Sequence, residues 1–520
     1  MRKFKKFLKD DQKKSVPSEK TNKEIESDLS INIDRLKGLF ENCSDIVFRQ
    51  IIAGEVKVCL LFVDGLVDTN SIQLHGINQV LKEVERDRVT ADFLVERIIS
   101  ASSVTEINML DDAVKNILKG NTVLLVDHVP TGIVIDAKGG QRRGVTEPET
   151  ESVVRGPREG LTESLRVNTA LVRQKIRSNR LKTIAKDVGE ETKTGIAIMY
   201  IDGLVSPELL KEVQARLDRI KIDGVLESGY IEELIEDNPW SVFPQVQNTE
   251  RPDTIAANLL EGRVAIIIDG TPLALVMPST FWQFLQASED YYHRYHISIF
   301  LRLLRIIFVF IALTLPSLYV AVTTYHQEMI PTNLLFSIAS SREAIPFPAF
   351  VEAMIMEISF EALREAGVRL PKIVGQAVSI LGALVIGQAA VEAGIVSAPM
   401  VIVVSLTGIA SFTIPRFNMA ISIRLLRFPF ILLAGMFGLF GIVLGILIIL
   451  THLCKLRSFG IPYLSPVSPL SMKGVKDVFI RVPWWSMNER PNQTVKVDMT
   501  REGEDLKPSP GKGSEEGNPT

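Results

Sequence analysis

The sequence predicts an α/β soluble N-terminal half, two repeated α/β subdomains, followed by an all-α polytopic membrane domain of about four to five helices. Two observations predict it. Long charge-free runs are confined to the stretch from Ile306 to about Leu450, whereas the residues before it are mixed and charged. Within that earlier part, two strand-like passages each occur twice. A bilayer core takes roughly 20 apolar residues to cross as a helix. Four runs meet or approach that length: Ile306–Tyr325, Ile373–Val391, Ala393–Pro415 and Phe428–Thr451.

Composition narrows the function classes. The chain has 520 residues, with 58 Lys and Arg against 61 Asp and Glu, so no overall field favours nucleic acid. Mean hydropathy is only +0.19, because the soluble half dilutes the membrane half. Met1–Lys23 is lysine-rich without an apolar core, unlike a secretory signal, which places the front half in the cytoplasm. Cys43, Cys59 and Cys454 are scattered and suggest neither a disulfide framework nor a zinc site.

In chain order, residues 1–28 read as a disordered basic arm, too polar to bury a core. Residues 29–145 and 186–280 read as the two subdomains. LFVDGLVD at Leu61–Asp68 returns as MYIDGLVS at Met199–Ser206. KGNTVLLVDHVPTGIVI at Lys119–Ile135 returns as EGRVAIIIDGTPLALVM at Glu261–Met277, with Gly120/Gly262, Asp127/Asp269 and Pro130/Pro272 in register. β-branched runs broken at Asp-Gly or Asp-x-x-Pro are strands ending in turns. Ile77–Arg86 and Leu209–Ile220 carry helical spacing between them. Residues 146–185 are expected to form a charged linker helix, solvated or docking between subunits, around RGPREGLTESLRVNTALVRQKI at Arg155–Ile176. Residues 281–305, with Trp282, Tyr291, Tyr292 and Tyr295 followed by Arg302 and Arg305, are expected to lie as a lead-in helix at the headgroups. The membrane domain is set at 306–453, a C-terminal segment at 454–495 and a disordered tail at 496–520.

Catalytic signatures are missing: no GxxxxGK[ST], HExxH, GxSxG or strand-following GxGxxG occurs, so neither enzyme nor cofactor is expected. Asp64, Asp127, Asp202 and Asp269 sit in turn contexts rather than as an acid–base pair. The chemistry lies in the membrane half. PFPAFVEAMIMEISFEALREAGVRLP at Pro346–Pro371 is a proline-bounded helix with Glu357, Glu361, Arg364 and Glu365 on one side. Such a helix either rests in the interface or turns its acidic face to a water-filled passage. In the next run Gly375, Ser379, Gly382, Ala383 and Ala390 make a small-residue packing stripe, while Gln388 and Glu392 stand opposite. Glu357, Glu361, Glu365, Gln388 and Glu392 are therefore the candidate ion pathway, with Gln388 and Glu392 open also to a plain helix-end reading. Four spans leave Arg416, Arg424 and Arg427 outside, against the positive-inside tendency, unless that stretch lies flat in the interface.

The block from Pro346 to Pro415 closely resembles the A subunit of the spore germination receptor family. RGPREGLTESLRVNTALVRQKI, FLQASEDYY at Phe284–Tyr292, FIRVPWW at Phe479–Trp485 and NERP at Asn488–Pro491 carry the same likeness, over roughly residues 40–495. The resemblance implies a nutrient germinant receptor of the spore inner membrane. It also implies a transporter-like B subunit, a lipid-anchored C subunit and a homo-oligomer of A subunits around an ion-conducting pore. The rival readings are a non-conducting membrane scaffold or sensor and a secondary transporter subunit.

Overall fold

Each half of the repeat builds the same five-stranded antiparallel sheet. The computed structural model describes residues 23–53, 56–68, 104–139, 146–371 and 387–490, with short pieces between 495 and 508. Subdomain 1 contains α1 (Leu29–Leu39), β1 (Ile46–Ala53), β2 (Val56–Val63), β3 (Val104–Ile107), α2 (Leu110–Leu118), β4 (Thr122–Val126) and β5 (Gly132–Ile135). Its strand order is β1-β2-β4-β5-β3. Subdomain 2 contains α3 (Leu165–Lys175), β6 (Leu181–Val188), β7 (Thr194–Ile201), α4 (Pro207–Asp218) and α5 (Ser228–Ile235). It continues through β8 (Gln247–Thr249), α6 (Pro252–Leu260), β9 (Val264–Ile268) and β10 (Ala274–Met277), in the corresponding order β6-β7-β9-β10-β8. Helix α4 answers the expected Leu209–Ile220 stretch, whereas Ile77–Arg86 falls outside the described residues.

Both faces of each sheet are covered, which explains why the central strands are apolar throughout rather than alternating. Along β2, Cys59, Leu61 and Val63 join one core while Val58, Leu60 and Phe62 join the other. The Asp-Gly pairs are turns: Gly65, Gly203 and Gly270 take φ of 81°, 77° and 84°, a region that strains any residue with a Cβ.

The linker differs from its expectation. Only Leu165–Lys175 is helical, and this α3 is the counterpart of α1 rather than a separate connector. Asp127 Oδ1 accepts from the Leu29 N–H at 3.2 Å, and Asp269 Oδ1 accepts from the Leu165 N–H at 2.9 Å. Asn32 and Asn168 each bond the backbone six residues upstream through both amide atoms. The repeated aspartates therefore cap the opening helix of their own subdomain, satisfying an N–H that a helix start leaves free.

The lead-in is also not one helix. Two short 3₁₀ turns, Phe281–Leu285 and Ser288–Tyr291, precede α7 (Tyr295–Tyr325), which runs unbroken from the soluble half into the apolar region. There follow α8 (Thr332–Arg342), α9 (Ala349–Arg369), helical residues 387–392, α10 (Ala398–Phe412) and α11 (Phe417–Lys455). Helices α7 and α11 are each long and apolar enough to cross a membrane. The apolar run of α11 is interrupted at Gly438, with φ 60° and ψ −140°. There the chain doubles back: Gly441 abuts the Leu433 carbonyl and Gly445 packs on the Phe430 ring. The two arms, roughly 31 and 25 Å long at about 1.5 Å per residue, both have their feet at subdomain 2. Ser422 donates to the Val242 carbonyl and His452 bonds Ser241. A short β11–β12 pair (Arg457–Ser458 with Ile461–Pro462) and α12 (Met472–Val475) then lie against the soluble half, where the Tyr463 hydroxyl donates to the Pro244 carbonyl at 2.6 Å.

Candidate functional site

Helix α9 carries an acidic residue every four or five positions, and most have a counter-charge from another element. Glu352, fully buried, accepts from Arg342 Nε at 3.1 Å and from the Ser397 amide and hydroxyl at 2.9 and 2.8 Å. Glu357, also fully buried, pairs with Arg427 at 2.5 Å, and Arg427 Nε donates to the Ala312 carbonyl at 2.9 Å. One ion pair thus ties α9, α11 and α7 together. Glu361 pairs with Arg364 and stands 3.7 Å from Arg424, while Glu365 pairs with Arg369 at 2.5 Å in the open. A buried charge without a partner costs several kcal/mol, so these arginines are what allow the carboxylates into an apolar helix bundle.

Of the residues singled out from the sequence, Glu357, Glu361 and Glu365 share one flank of α9, grading from buried to exposed. Gln388 and Glu392 are exposed and bonded to each other at 2.9 Å, and among the described residues no hydrogen bond or ion pair joins them to α9. Ala390 is half-buried; Gly375, Ser379, Gly382 and Ala383 lie outside the described residues. Sequence reasoning missed Glu352 and Arg342, and did not match Arg424 and Arg427 to the acidic flank. The stretch from Arg416 to Arg427, expected to lie flat in the interface, opens the first arm of α11: Arg416 binds Glu151 of the soluble half, and Arg424 and Arg427 are buried among the helices. The spacing of Arg424 and Arg427 at i, i+3 against Glu357 and Glu361 at i, i+4 was a matching signal.

Along this flank several charged atoms make no hydrogen bond among the described residues: Glu357 Oε1, Glu361 Oε1, Arg364 Nη1 and Arg427 Nη2. Buried polar atoms are nearly always satisfied, so these are positions at which water would find a partner.

A second charged cluster fastens the two halves. Asp290, 1% exposed, accepts from Arg302 Nε at 3.0 Å and from both terminal nitrogens of Arg305 at 2.8 Å. Arg302 continues to Asp477 at 2.9 Å, whose other oxygen accepts from the Tyr291 hydroxyl at 2.7 Å. Burial, reinforced by the Asp477 charge, pushes the Tyr291 hydroxyl well above the usual phenol range, so it stays a donor. The start of α7, the lead-in and the C-terminal segment are held as one body by this cluster.

A paired α/β front, joined by buried charges to a bundle containing long apolar helices, defines a membrane protein with a large soluble domain. Residues 34–493 match the model of the Bacillus/Clostridium GerA spore germination protein. The chain belongs to this family, the one its membrane block resembles. It is 57% identical over 469 residues to the uncharacterised membrane protein YfkQ of Bacillus subtilis strain 168, covering 90% of this chain and 91% of that one. It is 47% identical over 490 residues to spore germination protein KA of the same strain, covering 94% and 90% respectively. The crystal structure of the N-terminal domain of the A subunit of the Bacillus megaterium spore germinant receptor GerK3 aligns with 50% of this chain and 99% of its own. That alignment has 31% identity and a TM-score of 0.40. The family is not an enzyme family, in keeping with the missing catalytic motifs.

Proposed function

We propose that this chain is the A subunit of a nutrient germinant receptor in the spore inner membrane, with its N-terminal half in the cytoplasm. It would assemble with a transporter-like B subunit, a lipid-anchored C subunit and further copies of itself, and the copies would enclose a nutrient-gated cation path. The observation that carries this reading is the graded acidic flank of α9, with carboxylate and guanidinium atoms that make no hydrogen bond among the described residues. If one such flank per copy faces a common axis, the carboxylates form rings, and rings of Glu favour cations. Glu365, Gln388 and Glu392 are the exposed members and would meet water first. A secondary transporter is disfavoured because its inverted repeats belong in the membrane half, whereas the repeat here lies in the soluble sheets.

The test is cation release on nutrient addition, in spores and in liposomes holding the assembled receptor. Glu→Gln at 357, 361, 365 and 392 is expected to alter release at one or more positions while the complex still assembles. Unchanged release and germination kinetics in all four variants would leave the scaffold or sensor reading standing.

A further inference from the structure

We propose that subdomain 2 inserts Trp240 into the bilayer surface, making the 238–243 loop a phospholipid-contacting site. Trp240 is 92% exposed, an unusual setting for the largest apolar side chain. The loop around it is fixed. Ser422 Oγ donates to the Val242 carbonyl at 2.6 Å, and Ser241 Oγ lies 2.9 Å from His452 Nε2. Phe243 stacks on the His452 ring at 6.1 Å. Ser422 is just over one turn inside the first arm of α11, and His452 about one turn from the end of the second. The loop is therefore clamped to both feet of the hairpin, at the depth where that hairpin enters lipid. On the same stretch of the first arm Ile421 and Leu425 are exposed, so apolar side chains continue from the arm towards the loop.

The occupant is identified by chemistry. Trp at a membrane–water boundary keeps its ring among the upper acyl carbons and its N–H among the headgroups. At the end of the second arm a cleft of about 760 Å³ beside Asn238 and His452 holds Lys455 and Arg457, and neither has an ion pair among the described residues. The nearby Glu212 and Asp237 are both engaged by Arg216. Unpaired cations in a cleft lined by Asn238, two residues from the exposed indole, match a phospholipid phosphate above its acyl chains. This site is independent of whether the assembly conducts ions.

The experiment uses the full chain in phosphatidylglycerol–phosphatidylcholine vesicles. Subtracting the emission of Trp240→Phe from that of the parent isolates the Trp240 signal; Trp240→Tyr gives the same subtraction should the first variant fail to fold. The expected signal is blue-shifted, loses most of its intensity to acyl-brominated lipid and little to aqueous iodide. A water-like emission quenched by iodide would overturn the proposal. So would a signal shielded from both quenchers, which would mean that protein covers the loop.

Discussion

Arg173 shows how one residue can hold two domains in register. Its side chain is fully buried, its guanidinium grips Asp45 through two bonds of 2.8 Å, and it also donates to the Ser178 and Leu181 carbonyls. Asp45 belongs to subdomain 1 and Leu181 opens the first strand of subdomain 2, so the bonds cross the boundary. Removing one partner of a buried pair leaves the other charge unmatched, a loss of about 3–5 kcal/mol. Arg173→Met is expected to lower the thermal midpoint of the soluble half and to open the inter-subdomain segment to protease. Equal proteolysis of variant and parent would contradict this. Glu232 offers a pH-dependent counterpart. Burial, then the neighbouring Glu236 and Glu227 carboxylates, push its carboxyl from 4.5 up to about 8. The folded chain thus keeps a proton that the unfolded chain releases, and this group's contribution falls as pH rises between those two values. Glu232→Gln is expected to raise the thermal midpoint above pH 8 and to match the parent below pH 4.5. A difference that stays constant with pH would show that Glu232 is ionised in the fold.

Gly438 is the element-scale counterpart, since a single residue there turns α11 into a hairpin. Its φ of 60° and ψ of −140° suit glycine almost alone, and a Cβ would stand 2.8 Å from the His326 ring. Gly438→Ala is expected to cost about 1–3 kcal/mol in strain, plus the displacement of His326. The checkable outcome is a lower melting temperature in detergent, with loss of the folded bundle in trypsin digestion. This turn was not legible in the sequence, because glycine within an apolar run more often marks close helix packing, and Gly435, Gly441 and Gly445 surround it. The soluble repeat was legible for the opposite reason. Asp127 and Asp269 must both end a strand and cap a helix, so residue type and spacing are constrained together. Helix α3 escaped recognition as the partner of α1 because little beyond Leu29/Leu165 and Asn32/Asn168 is shared between the two helices. In the membrane half the acidic face of α9 was visible as periodicity. Arg424 and Arg427 were not visible as its partners, since they come from α11, about 60–70 residues further on.

For the whole molecule, the helix contacts set a direction for every described segment. Helix α7 leaves the soluble half at Arg302 and Arg305 and ends where the Tyr325 hydroxyl donates to the Gly435 carbonyl, near the hairpin tip. Helix α9 returns: Phe350 packs on Gly435, Glu357 meets Arg427 and Glu361 meets Arg424. Helix α10 runs the same way, from Ser397 beside Glu352 to Gly408 against Phe360, and the chain then reaches Arg416, bound to Glu151. Both arms of α11 have their feet on that side as well. Arg302, Arg305, Arg364, Arg369, Arg416, Lys455 and Arg457 therefore gather at the soluble half, whereas residues 326–348 at the far end contain Arg342 as their one Lys or Arg. That asymmetry supports the proposed cytoplasmic placement of the soluble half, and it differs from the arrangement of four straight spans, which left Arg416–Arg427 on the opposite side. A membrane-impermeant maleimide should accordingly label Asn333→Cys on α8 in intact cells, in a chain whose exposed Cys454 is replaced by Ser. Lys211→Cys on α4 should react only after the membrane is opened. Labelling of both positions from the same side would place α8 beside the soluble half, and neither the hairpin nor the return of α9 across the bilayer could then stand.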